Sequence, residues 1–374
     1  MAKRGIAGVA AVLVAALLGS AGLVWPAAAD ITVALVAPIT GDNAPTGAQL
    51  QNGAEAAVAD INARGGVLGQ KLALAIEDDG CNARRAIPMA NKLIGENIGF
   101  IVGPWCSAVD MPASSIFADA GTIEISLAAN ELITEQGFDG LFRINGRNDR
   151  QSGLLADFVG KHYAGKRVAL VADRSAYATG LMASLRNAVK AQGAITVVLD
   201  QSIDAGTKDF GPLISSLENN GVDVVAYVGF PTEVSLIMVQ SAAAGLKAQF
   251  VSSNTMANHQ IWDIAGKNAV GMAFTCPTAP DLLPTAQDAV NGLKAKGKKA
   301  DGYTLYAYAG MQLVAEALNR AKTTQADAVA DALQKGSIPT VLGTVSFDEK
   351  GDIAQPIWRV CRWNEGGYAY YPGE

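Results

Sequence analysis

Histidine is almost missing from this chain: His162 and His259 are the only two in 374 residues. That leaves little from which to build a Ser–His or Cys–His nucleophilic pair. There is no H-E-x-x-H, no G-x-S-x-G and no G-x-x-x-x-G-K-[ST]. Gly65, Gly66 and Gly69 do not follow a strand in the way a dinucleotide fingerprint requires. Cys81 and Cys106 have no histidine at ligand spacing, which argues against zinc. The acidic pair Asp78-Asp79 follows a strand end, where such a pair more often caps a turn than holds a metal. No metal and no cofactor are expected. Basic residues nowhere cluster densely enough to track phosphates, so nucleic acid is a poor partner. Beyond the first residues, no apolar run is long enough to span a bilayer.

What is present begins with a leader. Lys3 and Arg4 form a basic start, Ala7 to Leu18 an apolar core, and Ala27-Ala28-Ala29 a small-residue cleavage site before Asp30. Residues 1–29 therefore read as a secretory signal, cleaved after Ala29. No cysteine lies near that site, which argues against a lipid anchor. Loss of Lys3 and Arg4 takes the formal charge from −6 to −8. The 345 residues left suffice for two domains of ordinary size. Half the residues are hydrophobic and 40 are glycine, which suits a large α/β core with many tight turns.

Four cysteines in an exported chain suggest two disulfides. Three pairings exist on paper. Cys81 and Cys106 each follow a strand-like run, and neighbouring strand ends would bring them together. That leaves Cys276 with Cys361, for which free buried thiols are the alternative.

The chain alternates strand and helix. Ile31 to Val36 reads as a strand, and Leu50, Ala54, Ala57, Val58 and Ile61 recur at helical spacing. Lys71 to Glu77 is a strand and Ala86 to Ile94 a helix. The pattern restarts near Gly140 to Asp149 and repeats through Ser252, which implies two lobes with parallel sheets and a cleft between them. Late elements follow: a helix through Leu305 to Leu318, a hairpin over Val341 to Asp352 and a last strand, Ile357 to Trp363. These would return to the first lobe and make both lobes discontinuous.

One stretch organises the rest, 99–130. Phe100-Ile101-Val102 is short enough for a buried strand and breaks at Gly103-Pro104. Trp105, Cys106 and Ser107 follow, before apolar residues at helical spacing from Val109 to Phe117. Ser107 thus sits at a strand's carboxyl end and a helix N-terminus, a favourable place for an anion. The plain alternative is an N-cap. A second apolar run ends in Ala128-Ala129-Asn130. Trp105, Tyr177, Phe230 and Tyr303 each sit at a strand end or helix start, as in an aromatic-lined small-molecule cleft.

The ordered series ITVALVAPITG, GAEAAVADINARGG, EDDGC, PMANKL, GPWCS with PAS, SLAAN and VSFDEKGD resembles the leucine/isoleucine/valine-binding family over essentially the whole mature chain. These are type I periplasmic substrate-binding proteins of ABC transporters. The resemblance implies two Rossmann-like lobes joined by three crossovers: 30–148 with 278–355, and 149–277 with 356–374. It implies a monomer that delivers a small carboxylate-bearing solute to a membrane permease, and no enzyme activity. By the same resemblance, Ser107 binds the ligand carboxylate, Ala128 offers a carbonyl to an α-ammonium, and Asn130 stands where the family has Thr. Ala129 lies between them. Tyr177 and Phe230 come from the second lobe, Trp105 and Tyr303 line the side-chain pocket, and Thr46 falls at a position that can carry Tyr. Cys81–Cys106 matches the family's disulfide. Asn254 falls where the family places an acid facing the ammonium. The carboxylate half of the site is intact and the ammonium half lacks its acid. An aromatic or des-amino carboxylate is therefore the alternative ligand to an amino acid. A ligand-sensing module of the same fold is a further rival reading, and a secreted α/β enzyme another.

Overall fold

The computed structural model describes residues 1–2, 30–278 and 280–373. The body of the expected leader, with its cleavage point at Ala29, lies outside the described residues. The first half of the fold runs β1 (Ile31–Ala37), α1 (Ala44–Ala63), β2 (Leu72–Asp78), α2 (Ala83–Gly95), β3 (Phe100–Val102), α3 (Ser107–Asp119), β4 (Ile123–Ser126) and β5 (Leu141–Arg143). Its strands form one sheet, β2-β1-β3-β4-β5, with every pair parallel. β1, β3 and β4 are buried almost throughout. Both faces of this sheet are covered, so these strands are runs of apolar residues rather than alternations.

The second half runs α4 (Asn148–His162), β6 (Arg167–Asp173), α5 (Ala176–Gln192), β7 (Thr196–Ile203), α6 (Gly211–Asn219), β8 (Val224–Val228), α7 (Pro231–Ala244), β9 (Gln249–Ser252), α8 (Gln260–Ala265) and β10 (Ala273–Pro277). β7-β6-β8-β9-β10 repeats the first sheet's strand order in parallel. The pleat sorts its side chains. Val168, Leu170 and Ala172 enter one core, while Ala169 and Val171 enter another on the opposite face.

The chain then returns. Helices α9 (Gln287–Ala295), α10 (Thr304–Ala321) and α11 (Ala326–Gln334) add Leu293, Leu313, Val314 and Leu333 to the first sheet's core. Gly53 lets α1 meet α10 closely, since a Cβ there would overlap the Thr304 carbonyl oxygen. The hairpin of β11 (Ile338–Thr340) and β12 (Gly343–Val345) precedes β13 (Trp358–Asn364) and β14 (Gly367–Tyr370), which extend the second sheet antiparallel beside β10. Three crossovers thus join the halves: β5 to α4, β10 to α9, and β12 to β13. Among the described residues no helix is long and apolar enough to cross a membrane.

Both disulfides form, Cys81–Cys106 and Cys276–Cys361, with Cα separations of 5.4 and 5.7 Å. The first fastens the loop after β2 to the start of α3. The second fastens β13 to β10. In the chain-entropy model, loops of 25 and 85 residues each contribute roughly 3–5 kcal/mol against the unfolded chain.

Two buried charge clusters brace this frame. Under α3, Asp110 and Glu124 face each other, 0% and 1% exposed. Ser114 Oγ bridges them, at 2.7 Å from Asp110 Oδ1 and 3.4 Å from Glu124 Oε1. Ser126 Oγ donates to Asp110 Oδ2 at 2.5 Å. Burial pushes both carboxyls above their ordinary values, and for Glu124 the Asp110 charge pushes further. At the first crossover, Arg143 is fully buried. It donates to Asp352 Oδ1 at 2.6 Å, to Thr134 Oγ1 at 2.5 Å and to the Asn130 carbonyl at 2.5 Å. Arg147 reaches the same Asp352 at 2.9 Å. Burial alone would raise Asp352, but the charge and hydrogen bonds of Arg143, then those of Arg147, hold it below the ordinary value.

These clusters predict opposite pH behaviour. A carboxyl raised in the folded state holds a proton that the unfolded chain has released, so stability falls as pH rises from about 4 through the folded value. Glu124→Gln should therefore lose less melting temperature than the wild type between pH 5 and 8, by calorimetry. Equal slopes would contradict the shared burial. Asp352 is depressed, so its contribution is present above about pH 4 and is lost as pH falls through its folded value. Asp352→Asn should cost about 3–5 kcal/mol at pH 7 by leaving Arg143 buried without its partner. That gap should narrow towards pH 3 in urea unfolding.

Candidate functional site

The carboxyl ends of both sheets face one cleft, and the helices that leave them point their N-termini into it. The first residues before α1, α2, α3, α5 and α7 are Asn43, Asn82, Cys106, Ser175 and Phe230, and all five line a recess of about 490 Å³. Each helix end carries unpaired N–H groups and a partial positive charge. Five of them, from both lobes, favour an anion, while the same recess also carries the carboxylates of Asp42 and Glu233 and the guanidinium of Arg174.

Buried acids aim these helix starts. In the second lobe, Asp173 Oδ1 accepts from Ser175 N at 2.9 Å and Oδ2 from Phe230 N at 3.1 Å, so one carboxylate orders the starts of α5 and α7. Burial raises Asp173, while its hydrogen bonds to Ser175 oppose that rise. In the first lobe, Asp79 Oδ1 accepts from Cys81 N at 2.7 Å, and burial pushes Asp79 up to about 6.

Beneath the recess lies an inner cavity of about 10 Å³, room for about one water molecule. Trp105, Ser107 and Ala129 line it from the first lobe, and Tyr177, Phe230 and Asn254 from the second. Cys106, Tyr303 at the start of α10, and Asn145 in the first crossover complete the lining. The Trp105 ring centroid lies 5.7 Å from Phe230 and 5.4 Å from Tyr303, and Tyr177 lies 6.0 Å from Phe230. Such spacings are those of packed aromatic pairs. Burial raises the Tyr177 and Tyr303 hydroxyls, which stay neutral.

Ser107 is the first residue of α3, and Cys106 takes the capping position without a side-chain hydrogen bond. The alternative role as an N-cap therefore falls to its neighbour. Ser107 Oγ instead accepts from Asn130 N at 3.3 Å, joining the two strand ends. The turn before it needs Gly103, at φ +99°, where a Cβ would overlap the Val36 carbonyl oxygen.

Three expected site residues stand outside the cavity. Thr46 Oγ1 accepts from Asn258 Nδ2 at 2.9 Å, a bond between the lobes. Ala128 is buried, and its N–H donates to Ser126 Oγ at 3.2 Å. Asn130 is tied at four atoms. Its N–H donates to Ser107, its carbonyl accepts from Arg143, its Oδ1 accepts from Leu132 N at 3.0 Å, and its Nδ2 donates across the cleft to the Ala176 carbonyl at 3.0 Å.

Asn254 lies on the cavity wall with its side-chain oxygen already filled. Its Oδ1 accepts from Tyr177 Oη at 2.8 Å and from Gln151 Nε2 at 2.8 Å, and its Nδ2 donates to the Tyr303 hydroxyl. Gln151 and Asn145 were missed from sequence. A signal for Gln151 existed: it precedes Leu155 and Phe158 by four and seven residues and so falls on the apolar face of α4. Among the described residues, no group of three or more His, Cys, Asp or Glu is placed to hold a metal ion.

Residues 30–368 match the family model described as periplasmic binding protein. The chain is 36% identical over 362 residues to Leu/Ile/Val-binding protein homolog 1 of Brucella melitensis, covering 96% of each chain. Two solved structures share the fold with a TM-score of 0.84. One is the branched-chain amino acid transporter substrate-binding protein LivJ of Streptococcus pneumoniae in complex with isoleucine, 23% identical, with 91% of this chain and 98% of that one covered. The other is an ABC transporter solute-binding protein of R. palustris in complex with benzoate, 19% identical, with 91% and 95% covered. Two parallel sheets of one strand order, crossed three times and closed on a common cleft, together with these matches, establish that the chain belongs to the periplasmic binding protein family.

Proposed function

We propose that this protein is the solute-binding component of an ABC importer, and that it takes a small carboxylate-bearing solute between its two lobes. The observation that carries this is the convergence of five helix N-termini, from both lobes, on one cleft floored by Ser107 and four aromatic rings. Relatives named for leucine, isoleucine and valine support an amino acid as the solute class. The partner is the membrane permease of the importer, and the protein works as a monomer with no chemistry of its own. The leader is removed after Ala29, and the mature chain acts in the periplasm.

The first lobe is assigned 30–148 with 278–355, and the second 149–277 with 356–374. Ser107 receives the carboxylate at the start of α3. Trp105, Tyr177, Phe230 and Tyr303 surround the rest of the ligand, with Asn254 and Ala129 on the wall. Asn130 and Thr46 act in closure, through their bonds to Ala176 and Asn258 across the cleft. An inner cavity of about 10 Å³ cannot admit a ligand unless the lobes part and the rings move. A ligand then favours closure only by binding the closed state better than the open one.

A second reading of the ligand rests on Asn254. Both lone pairs of its side-chain oxygen are in use, and among the described lining residues of the cavity there is no carboxylate. An α-ammonium finds no charged acceptor there, whereas a carboxylate without an amine loses nothing. The aromatic lining favours a flat ring over a branched aliphatic chain. Benzoate in one neighbour of this fold agrees with that reading.

Two measurements test these readings. Small-angle scattering should show a smaller radius of gyration at saturating ligand, and an unchanged radius would remove lobe closure. Calorimetry should compare leucine, phenylalanine and their des-amino acids on the wild type and on Asn254→Asp. The wild type should bind 3-phenylpropionate at least as well as phenylalanine, and the variant should gain about tenfold for phenylalanine, since bonds to charged groups contribute about 1.5–3 kcal/mol against about 1 for neutral ones. Nanomolar leucine binding by the wild type, with no gain in the variant, would refute the amine-free reading and leave the amino acid.

A further inference from the structure

Gln151 lies behind the cavity wall and touches no lining surface of the cleft, yet it faces the residue that does. It is 0% exposed, on the inward side of α4, one turn from the first crossover. Its Nε2 donates both to Asn254 Oδ1 at 2.8 Å and to Thr275 Oγ1 at 2.6 Å. Its own Oε1 is buried without a partner. Leaving an amide oxygen unpaired is costly, about 1–3 kcal/mol. The amide is held in this sense because its N–H groups have two acceptors to serve.

An amide oxygen accepts two hydrogen bonds well. Tyr177 Oη supplies one to Asn254, from 2.8 Å, and Gln151 supplies the other. With its oxygen filled, Asn254 presents its N–H edge to the Tyr303 hydroxyl at the cavity. Seen from the cavity, this wall offers donors.

We propose that Gln151 is a specificity-determining positioning residue: by filling the Asn254 oxygen from behind, it makes the site select a ligand oxygen over an ammonium. This rests on the reading that the cleft binds a carboxylate solute. It adds a residue outside the cavity that sets which end of Asn254 the solute meets.

The experiment uses the full mature chain and two probes, phenylalanine and 3-phenylpropionate. Gln151→Met keeps most of the volume and removes both N–H donors. With nothing holding its oxygen from behind, the Asn254 amide can turn that oxygen to the cavity to meet an ammonium, and the affinity ratio should shift towards phenylalanine by about fivefold or more. Gln151→Glu guards against a folding defect in the first variant. Its carboxylate can only accept, so the shift towards phenylalanine should grow from pH 5 to pH 8 as it ionises, a range in which phenylalanine keeps its ammonium. A readout without ligand accompanies these: the Asn254 side-chain amide resonance in asparagine-labelled protein, identified by its loss in Asn254→Asp. It should move in Gln151→Met and stay in Ser107→Ala. A resonance that does not move overturns the contact. A resonance that moves while both affinities fall equally reduces Gln151 to a structural role and also overturns the proposal. If neither probe binds the wild type, the carboxylate reading itself fails and the specificity role with it, a result distinct from the other two because the resonance still reports the contact.

Discussion

The buried ion pair of Arg143 and Asp352 is the constraint that most of the site depends on. A guanidinium with no exposure survives in the folded state only if its N–H groups are all directed at acceptors. Here the acceptors come from two stretches far apart in sequence: Asp352 on the returning segment, and Thr134 with the Asn130 carbonyl in the turn after β4. The backbone repeats the same junction. Arg143 N donates to the Gly351 carbonyl at 2.8 Å, and Ile353 N to the Arg143 carbonyl at 2.9 Å. The first and third crossovers are therefore held together where they leave the first lobe, and Asn130 is held with them.

Asn130 carries that constraint into the cleft. Its N–H meets Ser107, and its amide reaches the first turn of α5 in the other lobe. From the opposite edge of the sheet, the Cys81–Cys106 bond fixes the residue just before Ser107. The start of α3 is thus positioned from two sides, by a covalent bond and by a buried charge. On the second lobe, Asp173 does comparable work for α5 and α7. Helix ends make an anion site only when they point at one place, and these buried acids and bridges are what aim them.

Most of the frame was legible in the sequence because it is written at short range. Apolar runs such as Ile31 to Val36 and Val224 to Val228 are buried strands, and the helices between them show their period. The Cys81–Cys106 bond followed from strand ends lying side by side, and Cys276–Cys361 was the pair that remained. What escaped notice was short, charged or held from a distance. β5 is three residues long and ends in a buried arginine, so no apolar run announces it. β14 has a half-exposed pattern and α8 only six residues. The four aromatic residues and Ser107, which line the inner cavity, are marked in the sequence by their place at a strand end or helix start. The placement of Thr46 is not, because its partner Asn258 is 212 residues away. The filled oxygen of Asn254 is not either, because Gln151 is 103 residues away on α4. Local pattern identifies which residues reach the cleft, but their remaining hydrogen-bond capacity depends on contacts that only the fold creates.

That remaining capacity decides what the cleft can select. Five positive helix ends favour an anion whatever its remainder, and they act over several ångströms. Selection among anions must then come from the inner cavity, where the lining groups are neutral and the rings already touch. A ligand entering there exchanges ring–ring contacts for ring–ligand contacts, so shape is matched by dispersion and area rather than by charge. At that depth the polar groups are the Ser107, Tyr177 and Tyr303 hydroxyls and the Asn145 and Asn254 amides, and on the amine-free reading the direction of the Asn254 amide decides between them. With its oxygen engaged twice and its N–H edge turned to Tyr303, the wall meets a ligand with donors, in agreement in sign with the helix ends above it. On the amine-free reading the inner wall and the five helix ends agree in sign, while Asp42 and Glu233 in the outer recess are the carboxylates that an ammonium could meet.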